Sequence, residues 1–106
     1  MSVPLREPPG TAAAQTKDPH HIEAASGSVA KGWDRTVKAD AKAAARAFAY
    51  LRDHPFQRYP GRCFPLRGPE QRGVWQYEVN DRHRLRYSAV KGEARLILVL
   101  YAGDYH

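Results

Sequence analysis

The side chains best suited to chemistry crowd into one stretch of this sequence. Glu78, Arg82, His83, Arg84 and Arg86 fall within nine residues, and Tyr105 and His106 come at its end. Arginine binds phosphate through a planar fork of donors. A carboxylate or an imidazole can take or give a proton, and a tyrosine ring can stack on a base. A phosphodiester is the substrate that such a set would handle. The single cysteine, Cys63, reads as a small filler. No group of Cys, His and carboxylates has metal-ligand spacing, and His20-His21 stands alone, so no metal and no cofactor is expected.

Two strands must position these groups. Trp75, Tyr77 and Val79 alternate with Gln76, Glu78 and Asn80, the period of two of a strand with one covered face. A turn near Asp81-Arg82 leads to a second strand, with Leu85, Tyr87 and Ala89 on the core side and Arg84, Arg86 and Ser88 on the open side. If Asn80 pairs with Arg84, Glu78 stands opposite Arg86 and Gln76 opposite Ser88. The bland outcome is an exposed ion pair worth under about 1 kcal/mol. The functional one is an open face whose arginines bind phosphate while Glu78 tempers them. Leu96–Tyr101 is apolar on both faces, as expected of a central strand covered by helix on at least one side.

Upstream, Ser28 suits an N-cap, and no proline occurs from there to Asp53. Val29, Trp33, Val37, Ala41, Ala44, Phe48 and Leu51 recur at helical spacing, which favours one long helix. Asp40, itself a good cap, allows two. His54-Pro55 ends the helical run, and the prolines and glycines of 55–73 mark a loop in which Cys63-Phe64-Pro65-Leu66 can form a short strand. Residues 1–27 hold four of the eight prolines and few large apolar residues, so a flexible Pro/Ala-rich tail is expected, with His21–Ala25 able to pair as a short edge strand. The expected architecture is α+β: one or two helices packed on a three- to four-stranded antiparallel sheet.

The 106 residues allow one domain with a modest core. No apolar run approaches the roughly 18 residues of a membrane span. A lone cysteine and the lack of a signal-like start point to the reducing cytoplasm. Charge is unevenly spread: residues 1–30 carry two Lys/Arg and three Asp/Glu, whereas 31–106 carry 15 and eight, mostly arginine among the cations. The basic excess belongs to the folded part and implies an anionic partner, nucleic acid or an acidic protein segment.

Trp75-x-x-x-Val79-Asn80-Asp81-x-His83-Arg84-Leu85-x-Tyr87, followed by the apolar strand and the Tyr/His end, resembles the RelE/ParE superfamily of bacterial toxins, and most closely its YoeB-like branch. Leu51-Arg52-Asp53-His54-Pro55-Phe56 and Pro65-Leu66-Arg67-Gly68 match in order and approximate spacing. The resemblance covers residues 28–106, read as a RelE-like toxin domain. It implies a microbial-RNase-like fold with two helices over a four-stranded antiparallel sheet. It also implies a ribosome-dependent, metal-independent mRNA endonuclease that is neutralised by a cognate antitoxin, a protein with an acidic or amphipathic segment.

Carried over, Arg84 falls on the family's phosphate-binding arginine. Tyr105 and His106 fall on or beside its terminal His-Tyr pair, in reversed order. The implied reaction is attack of the ribose 2′-OH on the adjacent phosphate, with Arg84 and Arg86 facing the transition-state charge and His106 as acid or base. Arg67, Arg82 and His83 are further candidates for RNA contact. Where YoeB-like toxins place a glutamate before Pro-Leu this chain has Phe64, which leaves Glu78 or His83 as candidate base. Two other functions stay open: a ParE-like inhibitor of DNA gyrase, and a non-catalytic module that binds RNA or protein.

Overall fold

A computed structural model describes residues 2–104. Tyr105 and His106, both expected site residues, lie outside the described residues. The helical segment is a hairpin: α1 spans Gly27–Ala39 and α2 spans Ala41–Asp53. Apolar spacing favours a single rod because both helices bury a face on the same sheet. Asp40 breaks it. Its backbone N–H donates to the Thr36 carbonyl at 2.9 Å and closes α1, while its Oδ1 accepts from the Ala43 N–H at 3.1 Å and opens α2. Such a cap is worth about 1 kcal/mol. At the other end Ser26, not Ser28, caps α1, its Oγ accepting from the Val29 N–H at 3.3 Å.

The sheet has six strands, not the three or four expected. They are β1 (Val3–Pro4), β2 (His21–Ala24), β3 (Cys63–Pro65), β4 (Trp75–Glu78), β5 (His83–Val90) and β6 (Glu93–Asp104), in the order β1-β2-β6-β5-β4-β3. Neighbours are antiparallel except β2 and β6, which run parallel with Ile22 opposite Ile97 and Ala24 opposite Val99. The count differs because β1 and β2 come from residues 1–27. There the only alternating signal is Ile22 and Ala24, too short to stand out among prolines and small residues. Pairing with β6 supplies what local sequence does not, and it buries Ile22 and Ala24 to 3% and 0% exposure. The short strand at His21 thus forms, but inside the sheet and not at its edge.

Both helices cover one face of the sheet. Trp33, Leu51, Val79, Leu85, Tyr87, Ile97 and Val99 are fully buried between the layers. Gly32 brings α1 against β6 so closely that a Cβ there would lie 2.0 Å from the Ala102 carbonyl oxygen. The N-terminal residues join this core: Leu5 is buried, and the Trp33 indole N–H donates to the Arg6 carbonyl at 2.8 Å. Among the described residues no helix is long and apolar enough to cross a membrane.

Candidate functional site

The turn between β4 and β5 sets the register of the site. The Asn80 side chain folds inward, its Oδ1 accepting from the Arg82 and His83 N–H groups at 2.9 and 2.8 Å. The Val79 N–H meanwhile donates to the His83 carbonyl at 3.0 Å. Val79 therefore faces His83, and Asn80 belongs to the turn instead of facing Arg84. Glu78 stands opposite Arg84 and Gln76 opposite Arg86, which corrects the expected Glu78–Arg86 and Gln76–Ser88 pairs. The expectation failed because it let Asn80 pair, whereas its carboxamide is more stable satisfying the two N–H groups of the turn.

Directly opposed residues of neighbouring strands point to the same face. Cys63–Tyr77–Leu85–Ala102 makes one row across the core face. The helix-free face carries two rows: Phe64–Gln76–Arg86–Tyr101 and Glu78–Arg84–Gly103. Polar contacts join them. The Arg86 Nε donates to the Gln76 Oε1 at 3.0 Å, and the Gln76 Nε2 donates to Glu78 at 3.5 Å. Glu78 Oε2 lies 3.7 Å from the Arg84 Nε. The Arg84 Nη1 donates to the Asn80 carbonyl at 2.8 Å, and the Arg84 side chain is only 14% exposed. Two cations, a carboxylate and a carboxamide are thereby fixed side by side on the helix-free face, with Gln76 itself buried.

Tyr101 completes the face through a bulge. Tyr87 pairs with Val99 but Arg86 with Tyr101, so Leu100 is an extra residue in β6. The bulge reverses the alternation, sending Ala102 into the core and Tyr101 out beside Arg86. The Tyr101 hydroxyl donates to the Asp104 carbonyl at 2.8 Å and sits 3.9 Å from where a Cβ on Gly103 would be. The phenol therefore leans along β6 toward the row of Arg84.

The other expected residues fall around this centre. His83 lies on β5 at the turn, with its Nδ1 3.0 Å from the Asn80 Oδ1. Because that oxygen already accepts two backbone N–H groups, Nδ1 carries the proton. Arg82 is exposed and pairs with Asp104 at 2.8 Å. Arg67 occupies the exposed loop between β3 and the single 3-10 turn Pro69–Gln71, outside both rows. Gln76, Phe64, Asn80 and Tyr101 were not among the expected site residues. Gln76 carried a signal, a polar residue between two aromatics on a strand. Tyr101 carried none, because its facing depends on the bulge.

Among the described residues no three His, Cys, Asp or Glu side chains are grouped to hold a metal ion. A cleft of about 490 Å³ lies between residues 9–15 and α2. It is lined by Lys42, Arg46, Tyr50 and His54 among others, and none of the arginines of the sheet face reaches it. Among the described residues the cleft holds the mutually satisfied Arg52–Asp53 pair but none of the site residues expected from the sequence, so its size carries no weight in choosing the site.

The chain thus carries a helical hairpin on one face of a largely antiparallel sheet and a basic polar face opposite. No protein-family model and no curated protein matches the sequence. Among solved structures, the chain is similar to a YoeB/ParE toxin from Agrobacterium tumefaciens, with a TM-score of 0.58 and 19% sequence identity over 76% of this chain and 94% of that one. At that identity the likeness is one of fold alone.

Proposed function

We propose that this chain is a toxin that cleaves mRNA on the ribosome without a metal, by attack of a ribose 2′-OH on the adjacent phosphate. The observation that supports this best is the joined set Gln76, Glu78, Arg84 and Arg86 on the open face. Arg84 and Arg86 supply the positive charge that the pentacoordinate phosphorane requires, the role a metal would otherwise play. Glu78, held beside Arg84, accepts the 2′-OH proton. Tyr101 offers a ring beside Arg86 on which a base stacks. His106 remains the proposed acid for the departing 5′-oxygen and Tyr105 a second ring, both on sequence grounds alone. Arg67, Arg82 and His83 serve as outer contacts to the RNA backbone. The likeness to a named toxin supports a cognate antitoxin as partner, and the basic face favours an acidic segment in it.

The test is to induce the chain in cells and map mRNA 5′ ends. Ribosome-phased cuts that vanish with Arg84→Ala are expected. Their absence in the wild type removes the nuclease reading, and undiminished cutting by Arg84→Ala removes the site. A second reading, binding without cutting, is favoured by Phe64. It stands on the site face in the same row as Arg86, at the position where the resemblance expects a glutamate. Under that reading the protein protects bound RNA and leaves it intact. Gyrase-dependent DNA breaks on induction would replace both.

A further inference from the structure

We infer that Asp40, at the corner between the two helices, is a positioning residue for Arg84 and acts on it through Asn80. The inference rests on the reading above only in what Arg84 does; how Arg84 is held is independent of it. Asp40 divides its two carboxylate oxygens. Oδ1 accepts from the Ala43 N–H at 3.1 Å, and Oδ2 accepts from the Asn80 Nδ2 at 3.0 Å, a tie between residues forty apart in sequence.

Asn80 is held from the other side as well. Its Oδ1 receives the N–H groups of Arg82 and His83, at 2.9 and 2.8 Å, and the His83 Nδ1 at 3.0 Å. Its carbonyl receives the Arg84 Nη1 at 2.8 Å. A flipped carboxamide would set an NH2 group against the two backbone donors and leave Asp40 facing an oxygen. Asp40 thus selects one orientation of Asn80, and that orientation fixes the His83 tautomer and the carbonyl on which Arg84 rests. The hydrogen bonds from Asn80 and from Ala43 hold the Asp40 carboxyl below its usual range, so both oxygens act as acceptors at neutral pH.

The chemistry of the position is specific. Serine would cap α2 as well as aspartate does, but it is too short to reach Asn80. Asparagine has one carbonyl oxygen for two donors and must give up one of them. Capping and positioning are therefore separable by substitution, which a merely structural role would not allow.

The experiment compares the full chain with Asp40→Ser, with Arg84→Lys and with both together. Arg84→Lys keeps a charge but lacks the fork that Asn80 holds. For Asp40→Ser, a urea midpoint close to wild type is expected, since the cap is kept. A fall of about ten-fold in kcat for ribosome-dependent cleavage, with KM little changed, should accompany it. No further fall is expected when Asp40→Ser is added to Arg84→Lys. In parallel, the side-chain 15N signals of His83 and Arg84 should shift in Asp40→Ser. Equal losses of cleavage in both backgrounds would overturn the inference, as would unmoved side-chain signals. Should the wild-type chain not cut RNA, the proposed function fails and the 15N signals alone decide whether Asp40 positions Arg84.

Discussion

Replacing Gly32 with alanine tests the packing on which the site depends. Within a helix, alanine is favoured over glycine by about 1 kcal/mol, so local propensity alone makes Gly32→Ala stabilising. The structure gives the opposite sign. The new Cβ would lie 2.0 Å from the Ala102 carbonyl oxygen, whereas ordinary contact begins near 3.4 Å, so α1 and β6 must part by about 1.4 Å. The obstacle is backbone of a central strand, not the end of a flexible side chain. An overlap of this size belongs at the upper end of overpacking costs, about 3 kcal/mol. The net loss is then about 2 kcal/mol, or roughly 8–16 °C in Tm for a chain of this length.

Gly27→Ala, in the same helix but with nothing within 4 Å of the new Cβ, is the matched control and should unfold at or above the wild-type temperature. Thermal and urea unfolding of the three proteins give the answer. A Gly32→Ala protein as stable as the wild type or more so would refute the reasoning. Ala102 lies between Tyr101 and Gly103, so the displacement should also disturb the site face and lower RNA binding, an effect absent from the control.

Other perturbations reach separate parts of the molecule. Tyr101→Ala should weaken RNA binding by about 1–3 kcal/mol, the usual worth of one stacked base, with little change in urea midpoint; unchanged affinity would remove Tyr101 from the site. Asp53 grips Arg52 through two 3.0 Å hydrogen bonds at 5% and 10% side-chain exposure, so Asp53→Ala should cost about 2–3 kcal/mol in urea unfolding. A change within error would show that solvent screens the pair. Alkaline pH should destabilise the fold. Burial, joined by neighbouring Cys63 and Tyr77, pushes Tyr50 up to about 12, and burial raises Tyr77, Tyr87 and Cys63 as well. In the unfolded chain the cysteine loses its proton near pH 9 and the tyrosines near pH 10, so the lower of these sets where the loss begins. Stability is therefore full below about pH 9 and falls as pH rises toward the folded values, because the unfolded chain then binds fewer protons. Guanidinium midpoints between pH 8 and 11.5 should decline, and less steeply for Tyr50→Phe; a flat profile would contradict the burial.

Alternation and helical spacing made the layers of this protein legible in its sequence. Trp75, Tyr77 and Val79 against Gln76 and Glu78, and the stripe of Trp33, Ala44, Phe48 and Leu51, name covered faces whatever they later pack against. The joining of arginines and a carboxylate on one open face followed from the same period of two. The partners within that face did not. Glu78 meets Arg84 only because the Asn80 carboxamide turns into the hairpin, a choice set by which donors it can satisfy. Tyr101 faces the arginines only because β6 holds one residue too many against β5. The strand near His21 exists because β6 offers an edge for it, a partner seventy-odd residues away that no local window contains, and the strand near Val3 then adds to its other side. Local chemistry dictates which residues hide and which stay wet; which of them touch is decided by hydrogen-bond competition and packing between distant segments, and those act only once the chain has folded.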